Sequence, residues 1–68
     1  MKIFQTRLIE QRKLNGLTQR QVAEHLQVAQ PSYIRYENGT SEPTLENLVK
    51  LADFFDVSVD YLLGRSDY

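Results

Sequence analysis

The sequence predicts a single all-α domain made of five short helices, and three observations support this prediction. At 68 residues the chain can form one small domain with its own core. Each of its three glycines directly follows a segment free of helix breakers, as expected for left-handed residues that close helices. No segment alternates apolar and polar residues over more than a few positions, so no sheet is expected. We therefore predict one domain over residues 1–68.

The first two helices follow from apolar spacing and a capping motif. The segment 2–14 contains no breaker, and Phe4 and Leu8 lie four residues apart, which places both on one helix face. The second helix is predicted to begin at Thr18. There "TQRQ" matches a capping box, in which Thr18 accepts from the backbone N–H of Gln21 and the Gln21 side chain reaches back.

The fourth and fifth helices also begin at side-chain caps, Thr44 and Ser58. Apolar residues recur at helical spacing after each cap, and we expect them to face the core. In the fourth helix they are Leu45, Leu48, Val49, Ala52 and Phe55. In the fifth helix they are Val59, Leu62 and Leu63.

The third helix lies in "VAQPSYIRYENG", residues 28–39, where a proline stands near the start of an otherwise helical segment. Tyr33 and Tyr36, three residues apart, are expected to face the core. Proline disfavours the α conformation in the residue before it, so we expect Pro31 at the first helical position and Gln30 extended or capping. The proline then sharpens the start of the helix and breaks nothing.

Only a few residues separate this helix from the second one, which ends near Leu26. Two helices joined so tightly cross at a steep angle, which predicts a helix-turn-helix at about residues 18–38. The outward side of the third helix has no core to bury, and its residue types suit DNA bases: arginine reads guanine, glutamine reads adenine, and an apolar group contacts a thymine methyl. The candidate base contacts are Gln30, Pro31, Ile34 and Arg35, although Pro31 is equally explained as a helix starter.

Charge is distributed unevenly along the chain, although the net charge is only −1. Residues 1–36 carry six basic and two acidic side chains, a net of +4, whereas residues 37–68 carry two basic and seven acidic ones, a net of −5. One half could meet an anion while the other faces away. From charge alone, chance variation on a solvated surface explains the pattern equally well.

Enzymatic, metal-dependent and membrane functions find little support in this sequence. There is no nucleophile elbow and no cysteine, and His25 has no second histidine with which to bind a metal, so an exposed helix residue is expected there. No apolar run approaches the roughly 18 residues that cross a bilayer. We expect a cytoplasmic protein that is not an enzyme, with no cofactor, no metal and no membrane contact.

Two segments, "LTQRQVAEHLQVAQPSYIRYENG" and "PTLENLVKLADFFDVSVDYLLG", resemble the lambda-repressor and Cro type (XRE-like) of helix-turn-helix domain. The resemblance covers roughly residues 5–64. It implies a five-helix lambda-repressor-like DNA-binding domain whose third helix enters the major groove of double-stranded DNA. It also implies a bacterial or phage transcriptional regulator, with a repressor favoured, that binds a near-palindromic operator as a homodimer.

The resemblance assigns further roles by position. Phosphate contacts are expected at Gln19, Ser32, Asn38, Gly39 and Thr40, with backbone N–H groups acting in the loop that contains Gly39. Gly39 is equally explained as a simple helix cap. A structural ion pair is expected between Arg12 and Glu37. Dimer contacts are expected at the end of the bundle, from Val59, Tyr61 and Leu62.

Two positions depart from the usual pattern, and one alternative function stays open. Gln27 occupies a turn position where glycine is common, so it must be left-handed or shift the turn, and Ala29 stands where a Ser or Thr cap is usual. Small domains of this type also act as antitoxin-like or adaptor modules that bind a protein. The acidic half of the chain, with Tyr61 and Tyr68, would then form the contact surface.

Overall fold

The computed structural model describes all 68 residues, as five helices without a strand, which confirms the predicted fold class. The helices are α1 (Lys2–Leu14), α2 (Gln19–Leu26), α3 (Gln30–Asn38), α4 (Leu45–Phe55) and α5 (Val59–Leu62). None of them combines the length and the apolar character that a bilayer crossing requires.

The predicted N-caps are confirmed at three helices. The Thr18 hydroxyl accepts from the Gln21 backbone N–H at 3.1 Å, and the Gln21 Oε1 atom accepts from the Thr18 N–H at 2.8 Å, which completes the capping box. Thr44 and Ser58 accept in the same way from backbone N–H groups at the starts of α4 and α5. These caps satisfy N–H groups that have no partner inside a helix, so each helix begins at a defined residue.

One apolar core holds the five helices together. It consists of Phe4, Leu8, Val22, Ala23, Leu26, Tyr33, Tyr36, Leu51, Ala52, Phe55 and Leu62. From α3 the core receives only two aromatic rings, which pack edge to face with centroids 6.1 Å apart. The expectation that these tyrosines face inward is therefore confirmed, and the opposite side of α3 is left outside the core.

The predicted apolar face of α4 is wrong at two positions. Leu45 is 82% exposed and Val49 is 50% exposed, whereas Leu51, which was not predicted, is fully buried. Successive residues of a helix are separated by 100°, so the buried sector around Leu51 and Phe55 ends just before Leu45 and Val49. Since α4 packs on α2 and α5 through that sector, the last two side chains face outward.

The turn between α2 and α3 resolves the two departures from the usual pattern. Gln27 is left-handed, with φ 59° and ψ 41°, so the turn is not shifted. Ala29 is the N-cap of α3 and provides no side-chain hydrogen bond. The predicted start of α3 is wrong by one residue, because Gln30 is the first helical residue and Pro31 the second. The missing proline N–H costs nothing there, since the first N–H groups of a helix have no intrahelical acceptor.

Candidate nucleic-acid interface

The side of α3 that faces away from its two tyrosines carries the four candidate base contacts. Pro31 and Arg35 are exposed, and Gln30 and Ile34 are half-buried. The Arg35 guanidinium makes no hydrogen bond or ion pair within the chain. This side of α3 therefore presents the Arg35 guanidinium, the Gln30 amide and the apolar atoms of Ile34 and Pro31 within about one and a half turns of helix.

Beneath this surface, the Glu37 carboxylate joins α1, α2 and α3. The residue is 6% exposed. The Arg12 Nε atom donates to Oε2 at 2.6 Å and Arg12 Nη2 donates to Oε1 at 3.2 Å, so the pair is bidentate. The Gln19 Nε2 atom donates to Oε1 at 3.1 Å, and the Tyr33 hydroxyl donates to Oε2. The third guanidinium nitrogen, Nη1, donates to the Leu17 carbonyl at 3.0 Å.

These contacts decide the protonation state of the cluster. Burial disfavours the ionised form of Glu37, but the hydrogen bonds from Arg12, Tyr33 and Gln19 outweigh it and hold its pKa below the ordinary value of 4.5. Burial, followed by the hydrogen bond to Glu37, raises the pKa of the Tyr33 hydroxyl, and the hydrogen bond to Glu37 raises the pKa of Arg12. The cluster therefore holds a carboxylate, a guanidinium and a neutral phenol at neutral pH.

The predicted phosphate contacts near the helix starts occupy different surroundings. Gln19 is the first residue of α2, and one N–H of its amide is bonded to Glu37, which leaves the other N–H and the amide oxygen without a partner in the chain. Ser32 is half-buried in the first turn of α3, where its backbone N–H donates to the Ala29 carbonyl at 3.0 Å. The structure thus fixes the direction of the Gln19 amide before any ligand binds.

The backbone N–H groups of the loop after α3, which stay predicted phosphate contacts, have acceptors within the chain. Gly39, at φ 83°, closes α3, and its N–H donates to the Arg35 carbonyl at 3.0 Å. The N–H groups of Thr40 and Ser41 donate to the same carbonyl at 3.1 and 3.3 Å. This arrangement follows from the way a left-handed residue closes a helix, since the next N–H groups fold back onto the last carbonyls of the helix.

Side chains of the same loop keep a free donor. The Asn38 Oδ1 atom accepts from the Thr40 hydroxyl at 2.7 Å and from the Thr40 N–H at 3.1 Å, while Asn38 Nδ2 has no partner in the chain. From below, the Gln5 side chain packs against Gly39, where an added Cβ would lie 2.7 Å from Gln5 Cδ. Gln5 was missed by sequence reasoning, because only the folded chain brings α1 under this loop.

Two of the six basic side chains of residues 1–36 each form an ion pair within the chain. Arg12 is neutralised by Glu37, and Arg7 lies 3.8 Å from the Asp67 carboxylate. The basic side chains that remain without an ion pair in this half are Lys2, Lys13, Arg20 and Arg35. Arg20 was not singled out from the sequence, yet it is exposed beside Gln19 at the start of α2.

One of the three predicted dimer contacts on α5, Leu62, needs a correction. Leu62 is 0% exposed and belongs to the core, so it is inaccessible to a partner. Val59 and Tyr61 are half-buried. The Arg7 guanidinium lies 4.3 Å from the centroid of the Tyr61 ring, and Arg7 Nη1 donates to the Ser66 carbonyl at 2.6 Å.

His25 lies on the surface of α2, as expected. Its ring stacks on Phe54 with centroids 3.8 Å apart and planes 14° from parallel. The histidine therefore covers the edge of the core between α2 and α4.

The chain combines five helices, a three-residue turn between α2 and α3, and an outer side of α3 that has no partner in the chain. These features define the helix-turn-helix class of protein. A sequence profile of the helix-turn-helix family matches residues 8–62, and the chain belongs to this family. That agrees with the resemblance to the lambda-repressor type.

Individual relatives are named as regulators of transcription. The chain is 48% identical over 59 residues to the cryptic phage CTXphi transcriptional repressor RstR of Vibrio cholerae, covering 87% of this chain and 53% of the relative. It is 37% identical over 64 residues to the transcriptional activator BcrR of Enterococcus faecalis, covering 94% and 31%. The chain spans about half the length of RstR and about a third of the length of BcrR.

A solved structure agrees with the fold. The crystal structure of a transcriptional regulator from Listeria innocua superimposes with a TM-score of 0.85 at 36% identity, over 90% of this chain and 57% of that one.

The relatives include both a repressor and an activator, so the direction of regulation does not follow from similarity.

Proposed function

We propose that this chain is the DNA-binding part of a sequence-specific transcriptional regulator that inserts α3 into the major groove. The observation that carries the proposal is the outer side of α3, where Arg35 has no partner in the chain and lies one turn beyond Pro31. A buried polar cluster and two tyrosines hold the other side of the helix in place. A rigid helix with a free arginine on its outer side suits bidentate recognition of guanine.

The flanking donors support the proposal as phosphate contacts. The second N–H of the Gln19 amide, the Asn38 Nδ2 group and the exposed Arg20 side chain are available at the two ends of the α2–α3 unit. Such contacts position a protein on the duplex and carry no sequence information. Ser32, Gly39 and Thr40 stay predicted phosphate contacts. The N–H groups of Gly39 and Thr40 would then be shared between the Arg35 backbone carbonyl and a phosphate oxygen.

We further propose that this chain binds a near-palindromic operator as a homodimer. Two-fold pairing would set the two α3 helices about 34 Å apart and the half-sites about 10 base pairs apart. An isologous pairing of this kind reads the same half-site twice in opposite orientations.

Selection of bound sequences from a random DNA pool tests the function. We expect enrichment of one inverted repeat, binding of two chains per duplex in sedimentation, and an affinity that falls steeply with salt as phosphate counterions are released. Equal retention of all sequences in the pool would contradict base recognition. Binding that is insensitive to salt would contradict contact with the phosphate backbone.

A further inference from the structure

An apolar surface lies on the bundle outside α3, and none of its residues is among the predicted DNA contacts. A groove of about 240 Å³ runs between the start of α1, the start of α4 and the residue after α5. Its lining includes Met1, Phe4, Pro43, Leu45, Leu48 and Leu63. Met1 is exposed at the rim of this groove, and Val49 is exposed one turn further along α4. We call the six apolar residues of the groove lining, together with Val49, the α1–α4 face.

Isolated apolar side chains on a surface require no explanation, but a contiguous set around a groove marks a contact site. Leu14 gives the comparison within the same chain, because it is 79% exposed at the other end of α1 and lines neither of the two grooves. Leu45 is as exposed as Leu14, yet it borders an apolar groove. Leu45 therefore belongs to a set of apolar residues around one groove, whereas Leu14 borders no groove.

We propose that the α1–α4 face is the surface through which two copies of this chain pair, in place of the predicted contacts on α5. The inference rests on the proposed function, in that a pair of chains is needed for an inverted repeat. On α5 the only predicted contacts left accessible are half-buried, and Tyr61 is covered in part by Arg7. The α1–α4 face offers exposed leucine, valine and methionine instead.

The charges that border this face select a second copy as the occupant. Glu46 and Lys50 lie on one flank of α4, with Lys50 Nζ 3.5 Å from Glu46 Oε1. When two copies of α4 meet antiparallel about a two-fold axis, this flank meets the same flank in reverse order. Each Glu46 then lies opposite the partner's Lys50, so the surface is complementary to itself in charge as well as apolar.

The first test places one charge in the apolar surface. Leu45→Glu is expected to raise the dissociation constant of the pair, measured by sedimentation without DNA, by about tenfold or more. Leu14→Glu is the matched control, with the same substitution at an equally exposed leucine, and should change it by less than about twofold. If Leu45→Glu pairs like the unmodified chain, or if Tyr61→Glu is the variant that abolishes pairing, the α1–α4 face is not the interface.

The second test uses charge reversal in mixtures. The Glu46→Lys variant carries two positive charges on the flank and the Lys50→Glu variant two negative ones, so each alone should pair more weakly than the unmodified chain. Mixing the two variants should restore pairing as a heterodimer. Ion pairs inside a single α4 cannot explain such a recovery, because each variant alone carries only like charges on the flank. Failure of the mixture to pair better than either variant alone would overturn the proposed geometry.

DNA separates the failure of this inference from the failure of the proposed function. On a duplex holding one half of the selected repeat, Leu45→Glu should bind as tightly as the unmodified chain, within about twofold, because it leaves α3 untouched. On the complete repeat it should bind about tenfold more weakly. Loss of binding to both duplexes would assign Leu45 to DNA contact and overturn the inference. Intact pairing in solution with no selective DNA binding by the unmodified chain would refute the proposed function alone.

Discussion

The two sides of α3 are built on opposite principles. On the inner side, every polar atom of the Glu37 carboxylate is bonded, and no buried side-chain nitrogen or oxygen in the chain lacks a partner. On the outer side, the Arg35 guanidinium has no partner in the chain. Two arginines that composition would treat alike thus differ in surroundings. Arg12 is bonded within the fold, whereas the Arg35 side chain has no partner there.

Stability and recognition reside on different sides of this helix. A polar group that is buried with full hydrogen bonding is costly to disturb, because loss of one partner leaves the others unpaired in a low dielectric. An exposed group contributes little to folding and can change its partner without unfolding the chain. The Glu37 cluster and the outer side of α3 should therefore respond differently to mutation.

The largest effect is expected for Glu37→Ala, which leaves Arg12 and Tyr33 without their acceptor. Removal of one partner from a buried ion pair costs about 3 to 5 kcal/mol, which is a large part of the total stability of a domain of this size. Thermal unfolding should show a sharply lowered Tm or no folded baseline. Glu24→Ala, at an exposed glutamate on α2, is the control and should change stability by less than about 0.5 kcal/mol. Similar melts for the two variants would mean that the cluster is not structural.

Acid should weaken the inner side of α3 selectively. The folded pKa of Glu37 is below 4.5, so the unfolded chain takes up this proton first as the pH falls. The contribution of Glu37 to stability is therefore complete above about pH 4.5 and is lost as the pH falls through its lower, folded pKa. Urea unfolding between pH 7 and about pH 3 should show a steeper loss of stability for the unmodified chain than for Glu37→Gln. Parallel losses in the two proteins would contradict a depressed pKa for this carboxyl.

A smaller gain is expected at the turn that joins the two helices. Gln27 is left-handed, a conformation that costs a side-chain-bearing residue about 1 kcal/mol and costs glycine little. Gln27→Gly should therefore raise the free energy of unfolding by about 0.5 to 1 kcal/mol, after the entropy of glycine in the unfolded chain is counted. Gln27→Ala keeps the Cβ atom and should give no gain. A lower Tm for the glycine variant would show that the glutamine side chain itself supports the turn.

Features set by neighbouring residues were predictable from the sequence, and features set by distant contacts were less so. The caps at Thr18, Thr44 and Ser58 depend on bonds across three residues, so short patterns revealed them. The exposure of Leu45 depends on how α4 lies against α2 and α5, which periodicity alone does not specify. The same limit applies to Gln19, whose amide meets a carboxylate eighteen residues away.

The start of α3 shows a subtler limit. The preference of proline correctly indicated a helix start near Pro31, but the first turn of a helix has several positions that need no N–H donor. The preference of proline therefore does not distinguish between the first and the second helical position for Pro31. In the structure Ala29 is the N-cap and Gln30 is the first helical residue, which brings the glutamine to the tip of α3.

We propose that Arg35 recognises a base while the opposite side of α3 maintains the fold. The most direct measurement is the affinity of Arg35→Ala for the selected DNA repeat and for every single-base variant of it, beside a thermal melt of the same protein. We predict a loss of about 1 to 3 kcal/mol in binding, relaxed selectivity at one base pair in each half-site, and an unchanged Tm. Uniform weakening on all variants would assign Arg35 to a phosphate, and a lowered Tm would place it in the fold.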